Sequence, residues 1–287
     1  RRAEGLNQLA IDGLDAGAVG SGVHRDQIRA RLQKVQIKLG VHKNREAKEA
    51  LEWVRVKLDD REAGVELGYE SLREIRLLYA QTLMEDGRLL REGGEAEEKV
   101  VEVFRSAVAV LRDLSKGSDL DQAVARQAAY LLGVCFRELG DSENALGQFR
   151  MVSTHGASQE ATAAHVAAGD VLRMKGGHDG DALVEYGLAL RSIQSLDEYR
   201  NRWMDQKGFQ EAIRRAWESW IADKRFDRAI ALAELMSPLF PEEMAFEYSA
   251  VASQRWAEFK QGEYDGSPVN RREEMWEEVR RRWNRSG

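Results

Sequence analysis

The 287-residue sequence predicts an all-α protein of antiparallel helix pairs, about six in number. Three observations predict it. Only three prolines occur, and all lie in the last fifty residues (Pro238, Pro241, Pro268), where average usage would place about fourteen along the chain. Val, Ile and Thr, the β-branched residues that favour a pleated surface, total only 32. Apolar residues recur at helical spacing through most of the chain, and one stretch repeats after 36 residues.

Residues 1–22 hold five glycines and little pattern, which predicts a weakly structured segment with a frayed or short helix and a loop before His24. Ile28, Leu32, Val35 and Leu39 then follow at i, i+4, i+7 and i+11, one face of a helix, with Gly40 placed as its C-cap. Ala47, Ala50, Leu51, Val54 and Leu58 predict a second helix. Leu72, Ile75, Leu78, Tyr79 and Leu83 predict the face of a third. Gly93-Gly94 breaks that helix, and Val100, Val103, Phe104, Ala107, Val108 and Leu111 resume. Helices of about 15–22 residues with short breaks predict antiparallel neighbours.

The repeat lies in the middle. Ala129-Tyr-Leu-Leu132-Gly133-Val-Cys-Phe136 aligns with His165-Val-Ala-Ala168-Gly169-Asp-Val-Leu172, 36 residues on. Gly140 aligns with Gly176, Ala145 with Ala182 and Phe149 with Tyr186, the extra residue falling in the turn 176–181. A third copy, 47 residues after the second, carries Trp217, Trp220, Ala229, Ala233 and Pro241, its insertion lying around 196–208.

These residues resemble the tetratricopeptide repeat, a helix–turn–helix unit with the pattern W-x2-L-G-x2-Y, then A-x3-F, then P. Leu132, Gly133, Phe136, Ala145 and Phe149 stand at its L, G, Y, A and F. Gly169, Ala182 and Tyr186 match in the second copy. Trp220, Ala229 and Pro241 match in the third, with Trp217 at the glycine place. Ala129 and His165 replace the first Trp, and the final Pro is absent from the first two copies. The resemblance covers about 120 residues and extends by periodicity over 24–115 and 244–285. It implies a right-handed α-solenoid of about six helix pairs, with a concave groove lined by the first helix of each pair: Gln127, Tyr130, Val134 and Arg137, then Val166, Asp170 and Arg173, then Arg214 and Glu218. Val134 and Asp170 stand where carboxylate-clamping members of the family have Asn. The resemblance also points to bacterial repeat proteins of the envelope.

The organisation expected is therefore a weakly structured segment (1–22), tetratricopeptide-like repeats (23–195) and a Trp-rich C-terminal part (196–287). Six of the seven tryptophans lie beyond residue 200. Ser267-Pro268 reads as the start of a capping helix that places Trp276 and Trp283 on one face.

Candidate chemistry is sparse. No catalytic residue, cofactor site or metal site is expected. The five histidines lack the i, i+4 spacing of a helical zinc site, and His165 reads as a hydrogen-bonded interhelical residue. The acidic turn His178–Asp181 lacks the ligand ladder of a calcium loop. Cys135, the only cysteine, excludes an intrachain disulfide and reads as a buried thiol. No apolar run is long enough to cross a bilayer. The start, Arg1-Arg2-Ala3 without Met, reads as a processed form or a cloned piece, and the compartment, cytoplasmic or periplasmic, stays open.

Net charge is −6, no signature of general nucleic-acid binding. Yet residues 24–48 hold eight Lys/Arg, and Ile37–Arg45 resembles the turn of a DNA-reading helix-turn-helix. Three functional readings follow. The first is a non-catalytic interaction scaffold that takes a peptide or partner helix in the groove. The second, ranked below it, is a DNA-linked regulator using residues 24–48. The third is the non-catalytic portion of a larger envelope enzyme.

Overall fold

A computed structural model describes residues 2–17, 25–59, 69–116, 122–155, 158–265, 277, 280 and 281. Among these the regular structure is entirely helical, with twelve helices and no strand. The chain divides into two compact units, Arg1–His155 and Gly156–Gly287. The division falls inside the stretch that the sequence groups as one set of repeats.

In the first unit, α1 (Arg2–Gly17) packs on α2 (Arg25–Leu39). Within the segment expected to be weakly structured, residues 2–17 form this sixteen-residue helix. A polar anchor holds it: Asn7 is buried and its side-chain amide donates to Ala30 O at 3.0 Å and Gln33 Oε1 at 3.1 Å. Three hairpins follow, α2 with α3 (Asn44–Asp59), α4 (Tyr69–Glu92) with α5 (Glu97–Leu114), and α6 (Ala123–Glu138) with α7 (Ser142–Ser153). The first helices touch one another, α2 on α4 and α4 on α6.

In the second unit, α8 (Gln159–Lys175) pairs with α9 (Asp179–Arg191), and α10 (Gln206–Ala222) with α11 (Phe226–Met236). First helix meets first helix (α8 on α10) and second meets second (α9 on α11). The last described helix, α12 (Glu242–Asp265), covers α11. Pro241, expected at the end of a repeat, sits directly before it, and Met244 and Ala245 donate back to its carbonyl. Of the expected capping helix only residues 277, 280 and 281 are described, and Trp276 and Trp283 lie outside the described residues.

One packing rule runs through all five hairpins. The fourth, eighth and eleventh residues of the second helix are buried each time. They are Ala47, Leu51, Val54 in α3; Val100, Phe104, Ala107 in α5; Ala145, Phe149, Val152 in α7; Ala182, Tyr186, Ala189 in α9; and Ala229, Ala233, Met236 in α11. Spacing of four and then three keeps them on one stripe. Opposite the eighth residue, three first helices carry glycine. A methyl group built on Gly87 would lie 2.6 Å from the Phe104 ring, on Gly133 2.6 Å from Phe149, and on Gly169 2.8 Å from Tyr186. The aromatic ring occupies the volume a side chain would need. In α10/α11 the sizes are exchanged: Trp217 takes the glycine place and Ala233 the aromatic one, and both are buried.

The structure corrects several local expectations. The left-handed residue between α2 and α3 is His42 (φ 57°), not Gly40. The backbone runs on through Gly40, whose N–H still donates to Gln36 O, and reverses where Lys43 N reaches Lys38 O at 2.9 Å. The acidic stretch 178–181 is only partly a turn. Gly176 and Gly177 (φ 71° each) make the reversal, and Asp179 begins α9. In α4 the expected face is partly wrong: Leu72 and Tyr79 are half-exposed, while Leu77, Leu78, Thr82 and Met84 are buried. The helix contacts α2, α3, α5 and α6, so a broad arc is covered and a narrow apolar stripe does not describe it.

The insertion around 196–208 forms a loop, Ser192–Asp205, that folds back onto the start of α8. The Asn201 amide donates to Gln159 O at 2.7 Å, and the Trp203 indole donates to Glu160 Oε1 at 3.0 Å.

Candidate functional site

The predicted groove residues divide between the two units, and packing claims several of them. In the first unit, Tyr130 is buried with its ring 6.0 Å from Phe149, and Val134, four residues on, is buried as well. They are core. Gln127 and Arg137 stay partly exposed, and Arg137 pairs with Glu138 at 3.3 Å.

In the second unit Val166 is core. Asp170 and Arg173 face the neighbouring helix: the Tyr186 hydroxyl donates to Asp170 Oδ1 at 2.7 Å, and Arg173 Nε donates to that hydroxyl at 3.4 Å. Burial, then Asp170, holds the Tyr186 phenol well above its ordinary value. Tyr186 is therefore a neutral donor that joins α8 to α9. Arg214 and Glu218 form an ion pair on α10, with Glu211 2.6 Å from the same guanidinium. Glu218 is exposed and Arg214 half-exposed.

The remaining singled-out side chains are structural too. His165 Nδ1 lies 2.7 Å from Glu185 Oε2, which ties α8 to α9. The Cys135 thiol is fully buried, and burial pushes it up to about 12, so it stays protonated and unreactive. No group of three or more metal-ligating side chains comes together among the described residues. No described helix is long and apolar enough to cross a membrane.

Six of the eight cations in the basic segment 24–48 are paired with the protein's own acids. Arg29 pairs with Asp26, Arg31 with Asp15, Lys38 with Glu4 and Glu46, Lys43 with Glu4 and Glu46, Arg45 with Glu49, and Lys48 with Asp86. The second helix of the motif is held as well, because Asn44 is buried and donates to Thr82 O and Asp86 Oδ1 of α4. A recognition helix needs its start free to enter a groove. Here that start is packed.

Lys38 is the deepest of these cations, only 6% exposed, and it bridges α1 to α3 through Glu4 and Glu46. Accepting hydrogen bonds from Lys38 lowers both carboxyls, and donating to Glu4 and Glu46 raises the Lys38 amine. The sign follows from linkage. Lowered carboxyls stabilise the fold above their ordinary value of 4.5, and that contribution is lost as pH falls through their folded values. The raised amine stabilises below 10.5 and is lost as pH climbs past its folded value. Lys38→Met is expected to flatten both limbs of a melting-temperature profile against pH and to lower the plateau between them.

Compared with known proteins, the chain matches no family model, and no curated protein matches it.

Proposed function

We propose that the protein is a non-catalytic interaction scaffold that binds a peptide or a partner helix on the solvent side of its hairpins, as a divergent tetratricopeptide-like array would. The repeated packing stripe carries this reading. In five hairpins the same three positions of the second helix are spent on the core, which leaves the outward faces free to vary without cost to the fold. In the first unit the contact residues would be Gln127 and Arg137. In the second they would be Arg214 and Glu218. Tyr130, Asp170 and Arg173 support the surface from within rather than touching a partner.

Affinity capture with in-cell crosslinking tests the proposal. The wild type is expected to recover a defined protein that Arg137→Glu and Arg214→Glu each recover less well, with circular dichroism unchanged. Equal recovery by wild type and both variants removes these faces from the proposal.

A further inference from the structure

Helix α1 is apolar on two sides. Its inner side carries Asn7 and Ile11, both buried, and Leu14, half-buried. Its outer side presents a second apolar stripe to solvent. Arg2, Leu6, Leu9 and Gly13 follow at i, i+4, i+7 and i+11, one face of a helix. All four are exposed, Leu6 by 61% and Leu9 by 69%. Ala3, Gly5, Ala10 and Ala16 flank the stripe and are exposed too. A methyl group built on Gly5 or Gly13 would meet nothing within 4 Å. Two leucines standing in water on one uncharged helix face mark a contact surface.

The charges at the ends of this stripe lack partners. Among the described residues Arg2 meets no carboxylate, and Asp12, beside Gly13, accepts only from the neutral Gln8, at 2.7 Å. The other acids of α1 are taken, Glu4 by Lys38 and Lys43 and Asp15 by Arg31. Arg2 and Asp12 stand about 15 Å apart along the helix, so they cannot pair within one copy. The stripe, however, is its own complement. Its spacings of four, three and four read the same in both directions. A second α1 laid antiparallel, about a two-fold axis between residues 7 and 8, sets Leu6 against Leu9 of the other copy, twice. The same operation lays Arg2 over Gly13 of the other copy. With no side chain there to block it, the guanidinium reaches Asp12 at the rim. Antiparallel packing also sets the positive end of each helix dipole beside the negative end of the other.

We propose that α1 is the contact of a homodimer. Two copies pack α1 on α1, antiparallel, with Leu6–Leu9 contacts at the centre and an Arg2–Asp12 ion pair at each end. A two-fold contact must be self-complementary, and this face holds both halves of its own complement, apolar and charged. A surface shaped for a different partner does not need that match. Only one helix per copy contributes, so the interface is small and the dimer weak, with a Kd of roughly 10–100 μM. The proposal is independent of the scaffold reading, since no α1 residue belongs to the proposed partner faces.

Sedimentation equilibrium of the whole chain, over concentrations that bracket that Kd, tests it. A reversible monomer–dimer equilibrium is expected. Leu6→Gln combined with Leu9→Gln is expected to leave the chain monomeric. Arg2→Glu and Asp12→Arg are each expected to raise Kd about tenfold, because both ion pairs of the dimer then set like charges together. Combining the two exchanges the charges, and Kd is expected to return to within about threefold of wild type. That rescue reports a contact between copies, since the two residues cannot touch within one. Arg2→Glu suits the dipole of α1, and all four side chains lie outside the core, so circular dichroism should match wild type throughout. A monomer at every concentration, a larger assembly, a dimer that survives loss of both leucines, single reversals without effect, or a charge exchange that does not restore affinity would each overturn the proposal.

Discussion

Trp220→Ala is expected to lower unfolding stability by about 3–5 kcal/mol, the usual range for a buried Trp or Phe cut back to alanine. Trp220 is fully buried in the second unit. Its ring meets Tyr186 edge-on at 5.9 Å between centroids, so it joins one hairpin to the next. Its indole N–H donates to Asp179 Oδ1 at 2.9 Å, at the first residue of α9. Trp220→Phe keeps most of the volume and loses that hydrogen bond. The expected cost is smaller, about 1–3 kcal/mol, softened because Arg225 stands 3.5 Å from the same carboxylate. Urea unfolding followed by far-ultraviolet circular dichroism reads both. Alanine and phenylalanine variants of equal stability would show that the interhairpin contact contributes little.

Adding one methyl group at a packing glycine should destabilise, although alanine is the better helix former. Alanine gains about 1 kcal/mol over glycine in a helix interior. At Gly133 the new carbon would stand 2.6 Å from the Phe149 ring, and at Gly169 2.8 Å from the Tyr186 ring. Overpacking of that kind costs about 1–3 kcal/mol, and neither ring is a flexible end that can step aside, because both are fully buried. Net loss is expected for Gly133→Ala and Gly169→Ala, and a larger loss for Gly133→Val. Gly147 is the control: it lies exposed in α7 with open space around it, so Gly147→Ala should stabilise by about 0.5–1 kcal/mol. In a double-mutant cycle, Phe149→Leu should cost less on the Gly133→Ala background than on the wild type. An additive cycle would remove the steric explanation.

Some of this was open to reading from sequence because it is local. Ile28, Leu32 and Val35, and later Val100, Phe104 and Leu111, mark the faces of α2 and α5, and all are buried. The alignment of Gly133 with Gly169 and of Phe149 with Tyr186 finds pairs that do meet across their hairpins. Other features were hidden because they depend on partners distant in the chain. Tyr130, Asp170 and Arg173 have the composition of a binding surface, yet Phe149 and Tyr186 draw them into the helix interfaces. Six of the eight cations in residues 24–48 are paired with acids, some of them, such as Glu4, Asp15 and Asp86, brought alongside from elsewhere in the chain. A groove over Arg31 is lined by side chains as far apart as Gln8 and Trp53, and no sequence motif links them.

The scarcity of proline and β-branched residues, with apolar spacing of three and four, was enough to determine that the chain is helical and where most helices run, because helix formation depends on neighbours within a few residues. Which charges stay free, which polar residues face a neighbour and where a cavity opens were decided only in the tertiary structure. Those properties arise where helices far apart in sequence come within a few ångströms, and there burial and pairing reassign what each side chain can do.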